Sequence, residues 1–114
     1  MKSWKSAECR IAEILGGKRV PVSGRGVSTA PDIEHPVLSV EVKSRASIPR
    51  WITDALEQAK SSARDGRVPA AVLHPDRGRY ADALVVCQLS DFAQLVEAVE
   101  FLKAKKELPE PDKT

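Results

Sequence analysis

The chain has little of what would announce a simple function class. Its 114 residues hold two cysteines, Cys9 and Cys87, far apart and at no metal-binding spacing. The first residues lack an apolar core of signal-peptide length. The two thiols are therefore expected free, in a reducing, cytoplasmic compartment. Two histidines, His35 and His74, have no HxxxH or CxxC neighbour, which argues against a zinc site. No aliphatic run exceeds four residues, as at Ala83–Val86. A membrane helix needs about 20, so no membrane partner is expected. No internal repeat or low-complexity tract is visible. The Ser23-Gly24-Arg25-Gly26 loop lacks the Gly-Lys-Ser/Thr that completes a nucleotide-binding P-loop.

What is present reads as a soluble globular chain: 42% hydrophobic and 30% charged residues. The length suits one domain, expected over residues 1–106. Residues 107–114 have two prolines and no apolar pattern, and read as a flexible tail. Net charge is only +2, but it is unevenly spread. The first 30 residues carry six basic and two acidic groups, and residues 91–114 carry four and six. The front of the chain can offer a basic face to a polyanion.

Periodicity predicts the order α-β-β-β-α-β-β-α. A first helix from near Ser3 ends at Gly16-Gly17, with Trp4, Ala7, Ile11, Ile14 and Leu15 at helical spacing. Lys18–Ser23 reads as a strand that Pro21 demotes towards an edge. Asp32–Glu34 begins a second strand. Val37–Lys43 alternates strictly, with Leu38, Val40 and Val42 on one side. A second helix spans about Pro49 to Arg64, with Ile52, Ala55, Leu56, Ala59 and Ala63 as its stripe. Strands follow at Pro69–Leu73 and Ala83–Leu89. A last helix, capped at Ser90 or Asp91, carries Phe92, Leu95, Val96, Val99 and Leu102. The simplest product is one mixed sheet with helices on its faces, the second helix permitting a parallel crossover.

Three features carry chemistry. Pro31-Asp32 opens a strand after a glycine-rich loop. Glu41-Val42-Lys43 sets a carboxylate and an ammonium on one face of the next strand, about 6.5–7 Å apart along it. Glu8 has core-type residues Trp4, Ile11 and Leu15 as helical neighbours, a costly position for an acid without a partner such as a metal. Together they suit magnesium, which takes oxygen ligands from a few carboxylates, water and phosphate. Asp32, Glu41 and the Val42 carbonyl are candidate ligands, and Lys43 can orient water and stabilise developing negative charge.

The order Glu8, Pro31-Asp32, Glu41-Val42-Lys43 resembles the PD-(D/E)XK nuclease superfamily. Within it, residues 3–65 resemble archaeal-type Holliday junction resolvases, which viruses also carry. The likeness rests on Glu8 in the first helix, Ser23-Gly24, Asp32, Glu41 with Lys43-Ser44-Arg45, and Gln58-Ala59. It implies a restriction-endonuclease-like mixed sheet of five strands. It implies a homodimer with two magnesium sites, manganese substituting, that nicks four-way DNA junctions in symmetric pairs. By that likeness Glu8, Asp32, Glu41, Lys43 and Gln58 are the catalytic candidates, and Glu8, Asp32, Glu41 and Val42 the metal ligands. Phosphate contacts are expected from Lys5, Arg10, Lys18, Arg19, Ser23, Arg25 and Arg45. Two other readings stay open: a related nuclease acting on flaps, ends or duplex, and a catalytically silent DNA-binding module.

Overall fold

The computed structural model of the chain describes residues 4–21 and 30–107. The elements run α1 (Trp4–Leu15), β1 (Lys18–Arg19), β2 (Ile33–Glu34), β3 (Ser39–Val40), α2 (Arg50–Ser62), β4 (Ala71–Leu73), a short 3-10 turn (Tyr80–Asp82), β5 (Leu84–Val86) and α3 (Leu89–Glu107). Among these residues no helix is long and apolar enough to cross a membrane. The chain divides into two compact units, Met1–Ser44 with Ala93–Thr114, and Arg45–Phe92.

In the first unit α1 ends where two glycines do different work. Gly16 takes φ +76°, the left-handed turn that a side chain resists. Its N–H donates to the Glu13 carbonyl and that of Gly17 to the Ala12 carbonyl, at 3.3 and 2.9 Å, which closes the helix in a Schellman motif. Gly17 is needed for closeness instead: a Cβ there would stand 2.6 Å from the Glu34 carbonyl oxygen. The chain is thereby delivered directly onto β1. β1, β2 and β3 form an antiparallel ribbon with Arg19 opposite Ile33 and Ile33 opposite Val40. Ile33 is fully buried, and Ala12, Leu15 and Val96 complete the apolar centre of this unit.

A polar latch closes the same unit. The His35 side chain has no exposed surface, and its Nδ1 accepts the Val37 N–H at 3.0 Å. The proton therefore sits on Nε2, which lies 2.7 Å from Glu100 Oε1 and 3.0 Å from the Leu15 carbonyl oxygen. One neutral ring thus joins the end of α1, the turn after β2 and the middle of α3. This role leaves no mark in the local pattern, because Leu15 and Glu100 lie far along the chain and two of the three partners are backbone atoms.

In the second unit α2 packs on β4, and β4 pairs antiparallel with β5, Val72 opposite Val85. The α2 stripe is shallower than its periodicity predicted. Ile52, Ala55, Leu56 and Ala59 are half-buried, Ala63 is exposed, and Trp51 is 62% exposed.

The expected five-stranded mixed sheet is not formed. The strands fall into a three-stranded and a two-stranded sheet, and every strand pair among the described residues is antiparallel. Within the expected strand Val37–Lys43, ladder pairing covers only Ser39–Val40. Beyond it the Val42 N–H bonds a side chain, Asp32, in place of a strand carbonyl.

Replacing His35 by Ala should leave the Glu100 carboxylate and the Leu15 carbonyl without their shared donor, lowering stability by about 1–3 kcal/mol. Glu100→Gln keeps an acceptor for Nε2–H and should lower it less. Thermal unfolding of both variants checks this; equal losses would show that the charge rather than the hydrogen bond matters.

Candidate functional site

The ribbon's hydrogen-bonding phase explains why a proline precedes the buried aspartate. The Val20 N–H donates to the Asp32 carbonyl at 2.9 Å, so the Asp32 backbone faces β1 and the Ile33 backbone faces β3. Ile33 and Val40 are then a hydrogen-bonded pair, and the next such pair would be Pro31 with Val42. Proline has no N–H, so it offers nothing to the Val42 carbonyl. The Val42 N–H is taken by Asp32 Oδ2 at 2.7 Å, a short charge-assisted bond. The substitution ends the ladder and leaves Val42 without a donor from the facing residue.

Continued one step, the same register sets Asp32 opposite Glu41 as a non-hydrogen-bonded pair, the closer kind, with both side chains on one face. Asp32 is 8% exposed, while Glu41 and Lys43 reach solvent. The Val42 N–H bond brings the buried Asp32 carboxylate to the segment that carries the exposed Glu41 and Lys43. Asp32, Glu41, Val42 and Lys43 are brought to one end of the ribbon.

Glu8 is the second buried acid, at 5% exposure on α1. Its Oε1 accepts from Arg19 Nε at 3.0 Å, and the Arg19 side chain is only 13% exposed. The cost of an acid against an apolar stripe is met here by a guanidinium. Arg19, expected as a phosphate contact, directs its Nε inward to Glu8. Glu8 is held by Arg19, and among the described residues no three His, Cys, Asp or Glu side chains gather into a group that could hold an ion.

The remaining candidates are distributed as follows. Lys5, Arg10, Lys18 and Arg45 are exposed. Ser23 and Arg25 lie outside the described residues. Gln58 sits on α2 with its side chain exposed and belongs to the second unit, not to the one that carries Asp32. Sequence reasoning missed Arg19 as the partner of Glu8. The signal was a basic residue on the first strand after the helix that carries the misplaced acid.

A two-carboxylate site with one main-chain oxygen is within magnesium's habit, since that ion keeps several waters and shares phosphate oxygens. Asp32, Glu41 and the Val42 carbonyl are of the donor types that such a site uses.

The two acids should respond differently to mutation. Arg19→Ala removes the ion-pair partner of a buried carboxylate and should destabilise the fold by about 3–5 kcal/mol. Asp32→Asn keeps an acceptor for the Val42 N–H and should unfold close to wild type. Asp32→Ala loses that acceptor and should cost about 1–3 kcal/mol. Denaturant unfolding of the three variants measures this, and an Asn variant as weak as the Ala variant would contradict the hydrogen-bond account. No family model, curated protein sequence or solved structure matches this chain, so what the cluster can do is read from its chemistry.

Proposed function

We propose that the chain is a magnesium-dependent, structure-selective DNA endonuclease of the Holliday junction resolvase type, nicking four-way junctions in symmetric pairs. The observation that carries this reading is the Asp32–Val42 bond. It sets a buried aspartate beside Glu41 and Lys43, at a ribbon end where Pro31 leaves the Val42 carbonyl without its ladder donor. Asp32, Glu41 and the Val42 carbonyl would hold magnesium (or manganese), which when bound polarises the phosphodiester and supplies hydroxide. Lys43, two residues from Glu41, carries the positive charge that a developing phosphorane-like centre needs and can donate to a non-bridging oxygen. Asp32 stays oriented because its Oδ2 is already committed to a backbone amide. Exposed Lys5, Arg10 and Lys18 supply phosphate attraction that reads position rather than sequence.

A homodimer belongs to the same proposal. Leu95, Val99 and Leu102 recur at i, i+4 and i+7 on α3, yet are 47%, 41% and 63% exposed. An apolar stripe left this open on a helix suits burial against a second copy. Val99→Glu should shift the wild-type chain's mass from dimer to monomer in light scattering at micromolar concentration. A wild-type chain that is monomeric throughout would remove the dimer from the proposal.

One observation favours a second reading, the non-cleaving DNA-binding module: Glu8 is paired with Arg19, and no three-residue ion-holding group occurs among the described residues. A cleavage panel decides between them. Four-way junction, flap, nicked and linear duplex DNA are compared at one salt concentration with magnesium, manganese or calcium. Cleavage is expected with the first two metals and strongest on the four-way junction. Asp32→Asn and Glu41→Gln should each reduce it by about 100-fold or more, the scale of several kcal/mol of lost charge stabilisation, with junction binding retained. Full activity in either variant refutes the site. Preference for flaps or ends selects the wider nuclease class, and binding without cleavage selects the silent module.

A further inference from the structure

We propose that the tip of the β4–β5 hairpin is a nucleic-acid contact that stacks an unpaired base on Tyr80 and meets the flanking phosphates with Arg77 and Arg79. This rests on the DNA reading above but on none of the residues that carry it. Tyr80 is the chain's one tyrosine and is 86% exposed, the most open of the large apolar side chains among the described residues. It is nevertheless not loose. Its ring stacks on His74, centroids 4.6 Å apart and planes 12° apart. The His74 Nε2 lies 2.9 Å from the Gly78 carbonyl oxygen, and the Gly78 N–H donates to the Pro75 carbonyl at 2.9 Å. A Cβ at Gly78 would stand 2.7 Å from Pro75 Cγ, so the turn closes this tightly because that residue is glycine.

The result is an aromatic platform built before any partner arrives. Histidine covers one face of the ring, and the exposure of Tyr80 leaves the other open. Pre-ordering matters because an immobilised side chain otherwise costs binding energy. Arg77 and Arg79 stand on the same exposed turn, three residues and one residue before Tyr80. The 3.7 Å contact of Arg79 with Asp82 joins two exposed side chains and holds the guanidinium weakly. An open ring with guanidinium groups on the same turn suits single-stranded bases, because every base has a π-face and every link a phosphate. A regular duplex keeps its bases stacked on one another and offers no such face. A branched or frayed DNA does, so the tip would favour irregular structures over linear duplex.

The test measures binding in EDTA, which separates it from cleavage. Fluorescence anisotropy follows wild type, Tyr80→Ala, Tyr80→Phe and the double variant Arg77→Ala/Arg79→Ala on a dT oligonucleotide, a linear duplex and a four-way junction. Tyr80→Ala should weaken oligonucleotide binding roughly 5- to 150-fold, the span of aromatic–base stacking, with duplex affinity unchanged within about twofold. Tyr80→Phe keeps the ring and should restore binding. The double arginine variant should flatten the dependence of log affinity on log salt by about 2, one counterion per lost phosphate contact. Unchanged affinities in Tyr80→Ala and in the arginine variant overturn the proposal and mark the tip as a site for another class of partner. Wild-type protein that cleaves DNA while the tip variants bind normally sinks this inference and leaves the nuclease standing. Protein that binds through Tyr80 but never cleaves does the reverse, and protein that binds no DNA ends both.

Discussion

One hydrogen bond sets the terms for the rest of the site: Asp32 Oδ2 accepting the Val42 N–H. A carboxylate removed from water is costly unless charge-assisted bonds replace its hydration. The ribbon supplies such a bond where its own ladder fails. Pro31 has no N–H for the Val42 carbonyl, pairing covers only Ser39–Val40, and the Val42 amide bonds the aspartate side chain. The end of a strand and the bonding of a buried acid thus coincide at one position.

The unit solves the problem of a buried acid twice, with different partners. Asp32 Oδ2 takes a backbone amide, which carries no net charge. Glu8 takes the Arg19 guanidinium, an ion pair that fastens α1 to the ribbon. It also changes the basic surface. With Arg19 turned inward, the positive charge available to a polyanion from the described front of the chain comes from Lys5, Arg10 and Lys18.

Much of the site was legible in the sequence because its signals are local. Pro31-Asp32, the alternation through Glu41-Val42-Lys43 and the misplaced Glu8 all follow from neighbours within a few residues. The helix ends were legible for the same reason, since Gly16 and Gly17 punctuate α1 and Pro49 precedes α2. What could not be read depends on distant partners. Periodicity shows that Glu8 is in the wrong place but not that Arg19 receives it. His35 looked isolated because its partners are a carbonyl at residue 15, an amide at 37 and a carboxylate at 100. The five-stranded sheet failed because alternation predicts which residues are extended, not which of them find a ladder partner. The stripes of α2 and α3 fixed which face is apolar without fixing how deeply it is buried.

That last gap bears on function. Few apolar residues are buried among the described residues: Ala12, Leu15, Ile33, Ala71 and Val96, of which only Ile33 is fully so. Polar links at Glu8–Arg19, Asp32–Val42 and His35–Glu100 hold the first unit where apolar burial is thin. Thin burial with an open stripe on α3 is what a chain shows when part of its apolar surface is meant for another molecule. If that molecule is a second copy, the requirement for burial and the requirement of the reaction coincide. A two-fold pair repeats the Asp32–Glu41 site at one fixed separation, and a four-way junction presents two symmetry-related strands at one fixed separation. Pairing would then complete the apolar core and count the cuts by the same contact, so a chain too small to bury its own helices would gain its substrate geometry from the surface it leaves open.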